Sequence, residues 1–424
     1  MDKNRAFEVL NRLAFNRVSA SEDELKAAHL LMDECQKMGI EVHLEPFKAP
    51  APIVHKVKFE MTKPYHKEYY CTGQGMSGNT PEEGSTGGLV YIHSGEDIYT
   101  KDVKGKVVVC TAPMTSPLRK KLTAKGAIGY VVTWGGFYDD EIMKTQVPHR
   151  WARKTSDDNT DFPGVMMNLA TAEELVKDHP EEVKITLQQT PDTTATSQNV
   201  VATIEGTDLK DEIVVFSAHY DSVEFSKGAW DNGTGSITIL ELAHYFKEHQ
   251  PRRTVKFVWC GCEEIGLLGS HSYCEMHKNE LDKHILDINF DMTGMLFGDD
   301  NVFASCDRSI LDNVYFTAKL QGKEIGKGWM GKDLGLPSTD SSSFAMHDVP
   351  AITFGSKSVR GGAEIHSRRD TMDHLDPDSF INLCNFIAVW SEPIINAPFN
   401  PVPRKLPDEV IKEKEMMLTR LGLK

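Results

Sequence analysis

Five short segments constrain this chain more than anything else in it: His219–Asp221 (HYD), Ala229–Gly235 (AWDNGTG), Cys262–Gly266 (CEEIG), Asn289–Met292 (NFDM) and Glu364–Thr371 (EIHSRRDT). Each lies at or just beyond the end of an apolar run, or in a Gly-rich loop, and all carry carboxylates. Two of them add a histidine. A fold that gathers His, Asp and Glu side chains at one place builds a site for zinc or another borderline divalent ion. The set is large enough for two metals sharing one carboxylate, with a further carboxylate left as a base. That chemistry points to a hydrolase.

The rest of the chain fits an α/β enzyme. Its 424 residues predict two or three domains. The net charge of −15 leaves no basic excess for phosphates, which argues against nucleic acid as a partner. The densest basic cluster, Arg119, Lys120, Lys121 and Lys125, reads as a solvated helix face. Met1 to Val18 mixes charges with short apolar pieces, and no run approaches the ~18 apolar residues of a membrane span. The expectation is a cytoplasmic protein with no membrane partner, its eight cysteines free thiols.

Residues 1–60 read as helix, helix, strand and form the N-terminal part of the main domain. Ser21 to Glu24 is a capping-box pattern, after which Leu25, Ala28, Met32 and Cys35 share one helical face and Gly39 ends the helix. Ile40, Val42 and Leu44 alternate as a half-buried strand does. Residues 65–187 change texture: short strand-like runs (Leu89–Ile92, Lys106–Cys110, Ile128–Thr133) alternate with Gly-rich turns, and helices are predicted at Leu118–Lys125 and Thr171–Asp178. With no cluster of ligand-type residues at strand ends, this reads as a smaller, β-rich α/β insert. From 190 to 400, buried-strand runs at Ile213–Ala218, Val255–Trp259, Ile285–Phe290 and Ala351–Phe354 alternate with helices such as Ser236–Lys247. That alternation predicts an α/β fold with a mainly parallel central sheet flanked by helices. Residues 401–424 form a helical tail that packs on the body or on a second subunit, so a homo-oligomer stays open.

In open α/β sheets, functional groups gather beyond the carboxyl ends of strands. His219 is a good metal ligand there, and Asp221, two residues on, points the same way and suits the role of fixing its tautomer. Asp231 reads either as a helix cap or as a carboxylate between two cations. Glu263 and Glu264 stand side by side past a strongly apolar strand; one can bind metal while the other serves as general base. Asp291 follows a strand and His366 lies in a loop after Gly361 and Gly362. Taken singly, each has an ordinary reading as a cap, a turn or a surface group. The case rests on their conjunction. Cys260 and Cys262 lack a second pair at zinc-finger spacing and read as plain thiols, and the Asn232 sequon reads as idle.

The pattern HxD, a DNGxG-type loop, EExGLLGS, NxDM and IHxxxD resembles the co-catalytic di-zinc exopeptidase family of zinc aminopeptidases and glutamate carboxypeptidases. It stands here as His219–Asp221, Asp231–Gly235, Glu263–Ser270, Asn289–Met292 and Ile365–Asp370. The insert, with VKGKVVV at Val103–Val109 and AKGAIGYVV at Ala124–Val132, resembles a protease-associated domain. The resemblance implies two zinc ions per chain, one held by His219, Asp231 and Asp291, the other by Asp231, Glu264 and His366. It implies Glu263 as proton carrier, Asp221 as the group orienting His219, and peptides as substrates. Where many relatives have Ser-Asp-His before a Phe, this chain has Thr339, Asp340 and Ser341 before Phe344, so no substrate contact by that histidine carries over. The leading expectation is an aminopeptidase. A carboxypeptidase or other amide hydrolase on the same site is the alternative, with Arg360, Arg368 or Arg369 available to receive an acidic group. A non-catalytic binding protein of the same fold is the other class, and retention of both Glu263 and Glu264 argues against it.

Overall fold

The computed structural model describes residues 1–93, 97–111, 113–152, 158, 160–328, 331–359 and 365–421. They fall into two compact units: Met1–Ala49 with Thr196–Met416, and Pro50–Ala195 with the last residues from Met417.

The first unit is built on eight strands. They are β1 (Glu41–Lys48), β2 (Thr196–Ile204), β3 (Leu209–His219), β4 (Arg253–Cys260), β5 (His284–Phe290), β6 (Asp299–Ser305), β7 (Gly326–Lys327) and β8 (Ala351–Lys357). Their order in the sheet is β1-β2-β4-β3-β5-β8-β6-β7. The central strands β4, β3, β5 and β8 run parallel, while β1, β2 and β6 join antiparallel toward the edges. The sheet is thus mainly parallel at its centre, as the alternation of runs predicts.

Both faces of the central strands are buried, which is why they read as unbroken apolar runs. On β3, Val214, Phe216 and Ala218 face one layer and Ile213 and Val215 the other. The first layer holds helices α1 (Lys3–Leu13), α2 (Glu22–Lys37), α3 (Gly235–Glu248) and, later in the chain, Pro377–Asn396. A row of phenylalanines crosses this face, one on each central strand. Phe257, Phe216, Phe290 and Phe354 stack in turn at centroid spacings of 5.6, 6.2 and 6.1 Å. Offset ring pairs at such spacing add to the burial term. The second layer holds Tyr273 and Cys274, from the helix Leu268–Met276, and Phe344, from Ser341–Met346.

Helix α2 differs in detail from its sequence reading. Its buried stripe is Ala27, Ala28, Leu31 and Cys35, while Leu25 is 38% exposed. The helix is rotated because Glu24, not an apolar residue, takes the inward place in its first turn.

The second unit begins at Pro50 rather than near residue 65. Ala51–Lys63 is one long strand paired antiparallel with Glu182–Asp192, and it belongs to this unit's own sheet. Ser85–Ile92, Lys106–Cys110, Gly129–Trp134 and Gly164–Asn168 follow one another in parallel, around a core of Val107, Val109, Val131, Val165 and Ile185. Helices span Ser116–Ala124 and Leu169–Lys177. The expected solvated basic face is half correct: Lys121 and Lys125 are exposed, but Arg119 is fully buried. Its guanidinium grips Asp158 Oδ2 at 2.7 and 3.1 Å and the Met114 carbonyl at 2.9 Å, so the charge is met inside the unit. All eight cysteines are unbridged and buried. Among the described residues no helix is long and apolar enough to cross a membrane.

His284 opens β5, fully buried, with Nε2 3.0 Å from the Tyr273 hydroxyl and Nδ1 3.0 Å from the Glu280 carbonyl. Burial pushes its pKa down to about 4. The unfolded chain takes up this proton near pH 6.5 and the folded chain only near 4, so stability is lost as pH falls through that window, on the order of 3 kcal/mol in all. Urea unfolding of the chelator-treated protein at pH 7 and pH 5 checks this. His284→Gln is expected to lose less stability between the two than the parent; equal losses would remove His284 as a source.

Candidate metal centre

The carboxyl ends of β3, β4, β5 and β8 lie side by side, stitched by Tyr220 N–H to the Cys260 carbonyl and Asp291 N–H to the Phe354 carbonyl, both at 3.0 Å. His219 is the last residue of β3, Asp291 the first after β5, and Glu263 and Glu264 follow β4. The Gly-rich loop carrying Asp231 enters α3, and His366 arrives from the chain after β8. Arg360, Gly361, Gly362 and Glu364, singled out in the sequence, lie outside the described residues.

Two groups of ligand atoms result. His219, Asp231 and Asp291 form one; Asp231, Glu264 and His366 form the other; within each, the atoms lie within 4.8 Å of one another. Asp231 belongs to both. Its Oδ1 is 3.2 Å from His219 Nε2, and its Oδ2 is 3.0 Å from His366 Nε2. Glu264 Oε2 is 3.0 Å from the same His366 nitrogen, and Asp291 Oδ1 is 3.7 Å from His219 Nε2. Ligands of one tetrahedral zinc, bonded at about 2.0–2.1 Å, stand about 3.3 Å apart, so these separations suit a shared cation. Asp291 Oδ1 is buried and meets no hydrogen-bond donor among the described residues, which is how a group reserved for a metal looks.

The electrostatics agree. Burial alone would raise Asp231, but the two histidines hold its carboxyl well below the usual range. Burial works against a charged His366, yet the Glu264 and Asp231 carboxylates lift its pKa to about 10. The pocket therefore stabilises positive charge at the point where the two groups meet. Glu263, half-buried beside Glu264, is pushed well above its ordinary value, first by burial; Glu264, Asp340 and Asp291 add to the shift while His219 opposes it.

The backbone around these groups is held tightly. Asp221 lies 3.3 Å from His219 Nδ1, and its two oxygens also accept the N–H groups of Glu263 and Glu264 at 3.1 and 3.2 Å. It links the histidine to the glutamate pair. Asp370 does the same for the other loop, accepting Trp230 N–H at 2.7 Å and Asp231 N–H at 3.0 Å. Asn232 is fully buried and ties its loop to the end of β5, donating to the Phe290 carbonyl and accepting from Gly235 and Met292 N–H. A residue so placed is closed to glycosylation in the folded chain. Three non-glycine residues at the site, Cys262, Met292 and His366, have φ between +54° and +59°. Such backbone is strained and persists only where surroundings enforce it.

Several contributors escape the sequence reading. Arg17 is fully buried and donates to the carbonyls of Leu13, Phe15, Tyr220, Lys227 and Gly228, fastening the loop that leads to Asp231. Gly228 is fitted to it: φ is +55°, and a Cβ would stand 2.8 Å from Arg17 Nη2. Ser19 donates to Asp221 Oδ2 at 2.6 Å. Where the resemblance offers a histidine, Ser341 is buried and bonds Thr353 at 2.7 Å. Asp340 is buried beside it, its carboxyl pushed up to about 7 by burial. Removing a group that orients a ligand weakens metal binding roughly 10–100-fold. Asp370→Ala is expected to do so while leaving every ligand in the chain, as read by competition with a chelator of known affinity; unchanged affinity would reduce Asp370 to a local fold contact.

Comparison with known proteins places this geometry. Residues 199–391 match the model of peptidase family M28. Aminopeptidase YwaD of Bacillus subtilis is 27% identical over 281 residues, covering 66% of this chain and 58% of YwaD. Carboxypeptidase Q of Homo sapiens is 26% identical over 417 residues, covering 92% of this chain and 84% of its own length. Among solved structures, BSAP, a zinc aminopeptidase from Bacillus subtilis, superposes with a TM-score of 0.77 at 21% identity, over 96% of this chain and 98% of BSAP. The aminopeptidase from Aneurinibacillus sp. strain AM-1 gives 0.72 at 20% identity, over 96% and 97%. These likenesses establish a shared fold. The stretch matched to the model of that family contains His219, Asp221, Asp231, Glu263, Glu264, Asp291 and His366 together.

Proposed function

We propose that this chain is a zinc-dependent aminopeptidase that releases N-terminal residues from peptides. The observation that carries the reading is the pair of ligand groups meeting at Asp231, with Glu263 beside them. His219, Asp231 and Asp291 would hold one zinc ion, and Asp231, Glu264 and His366 a second. Bound there, zinc supplies a Lewis acid that polarises the scissile carbonyl and makes water acidic enough to attack near neutral pH.

The remaining work falls to the chain's own side chains. Glu263 stands next to a ligand without belonging to either group, so its carboxylate is free to take the proton of the attacking water. As the C–N bond breaks, the same carboxyl returns that proton to the departing amine nitrogen. One water is consumed, and a free amino acid and a peptide shorter by one residue are formed. Asp221 keeps His219 oriented and, through two amides, keeps Glu263 and Glu264 aimed at the same place.

A carboxypeptidase is the second reading, favoured by the match to carboxypeptidase Q along nearly the whole chain. Mass spectrometry of a peptide mixture, with N-acetylated and C-amidated versions of each peptide, separates the two. Shortening only from free N-termini is expected, with Glu263→Gln slower by about 10²–10⁴-fold. Shortening from the C-terminus would replace the first reading by the second, and no cleavage by the zinc-loaded protein would sink both.

Metal content tests the site separately. Elemental analysis is expected to give about two zinc ions per chain, falling to about one in His219→Ala and in His366→Ala, and below one in Asp231→Ala. A single ion in the parent protein would reject the shared-carboxylate arrangement.

A further inference from the structure

Three consecutive backbone amides after β4 end on buried carboxylates. Glu263 and Glu264 donate to Asp221, as described. The amide before them, Cys262 N–H, donates to Glu24 Oε1 at 2.9 Å. Glu24 lies in the first turn of α2, 238 residues earlier in the chain, and is fully buried. Its other oxygen accepts Ala20 N–H at 2.8 Å and the Ser197 hydroxyl at 2.7 Å. One carboxylate therefore joins the start of α2, strand β2 and the loop that carries the two glutamates.

This is more than helix capping. A capping-box glutamate takes the N-cap amide at a helix end and needs nothing further. Here Ser21 caps Glu24 N–H at 3.2 Å, while the Glu24 side chain reaches past Ser21 to Ala20 and inward to Cys262. Cys262 is also one of the residues with positive φ, at +54°, so its peptide needs an external hold. A carboxyl group suits these donors where an amide would not. Each oxygen faces a backbone N–H, and a glutamine in either orientation would set its NH₂ against one of those donors.

We propose that Glu24 is a positioning residue for the reaction, fixing the Cys262 peptide so that Glu263 and Glu264 stay directed at the histidines. The inference rests on reading Glu263 as proton carrier and Glu264 as ligand.

The test compares the parent with Glu24→Gln and Glu24→Asp in two measurements. The first is amide hydrogen exchange in the metal-free proteins. In Glu24→Gln the amides of Cys262, Glu263 and Glu264 are expected to exchange roughly tenfold faster or more, with β3 and α3 unchanged. The second is steady-state kinetics of the zinc-loaded proteins. In Glu24→Gln, kcat per loaded chain is expected to fall about tenfold with KM nearly constant, and Glu24→Asp to recover part of the loss. Unchanged exchange at those amides overturns the proposal, and so does a fully loaded Glu24→Gln protein with the parent's kcat. If the parent cleaves no peptide, the functional reading has failed and the exchange result alone decides the role of Glu24. Should Glu24→Gln not fold, Ser197→Ala removes one donor to the carboxylate and is judged by the same amides: faster exchange supports the hold, and exchange like the parent's overturns it.

Discussion

Repulsion among carboxylates is the constraint that the rest of this structure answers. Asp221, Asp231 and Glu264 are buried at one end of the sheet, with Asp291 and Glu263 half-buried beside them, and like charges so close in a medium poorer than water raise each other's energy steeply. Two histidines and a place for cations relieve part of it. The main chain relieves much of the rest. Asp221, Asp370 and Glu24 each accept two backbone N–H groups, so peptide dipoles offset part of the cost, although burial still pushes Asp370 up to about 7 and Glu24 up to about 8. Arg17 acts differently. Its guanidinium donates to main-chain carbonyls yet sits close enough for Asp370, Asp221 and Asp231 to feel its charge, which helps it keep a proton that burial would remove, its pKa being pulled down to about 10.

The phenylalanine row is the apolar counterpart of this polar rim. It packs one face of the four parallel strands, whose backbone ladder sets their spacing, and the strand ends deliver their polar residues side by side. A parallel arrangement matters here because it brings like ends together; antiparallel neighbours would alternate them. The antiparallel strands are accordingly confined to the flanks of the sheet.

What could be read from the sequence divides along this line. His219, Asp231, Glu264, Asp291 and His366 were visible because each stands where a hydrophobic run stops or glycines cluster, a signal contained within a few residues. The parallel sheet was visible because strands buried on both faces lose the period-two pattern. Glu24 was noticed but assigned to capping, since the partner that buries it lies in a distant segment. The same ignorance put Leu25 on the inner face of α2. Arg119 was misread in the same way: four basic residues in a short stretch look solvated, and only the fold reveals Asp158 opposite one of them. Arg17 gave no signal, because a guanidinium that bonds only carbonyls leaves no complementary acidic residue in the sequence. The start of the second unit was misplaced because prolines at 46, 50 and 52 mark a break without saying on which side of it the next strand belongs.

The reach of Glu24 and Ser19 across more than two hundred residues has a consequence for how the chain is made. The first helices leave the ribosome long before β3 and β4 exist, so the peptides they will hold are not yet synthesised. Until then a carboxylate destined for burial stays in water, and the apolar stripes of α1 and α2 have no sheet to cover. Residues Pro50–Ala195 of the second unit are translated during this wait. Contacts across so long a sequence separation form late, and the ligand groups come together only with them. A partly made chain of this protein therefore lacks the two assembled ligand groups until synthesis has passed His366.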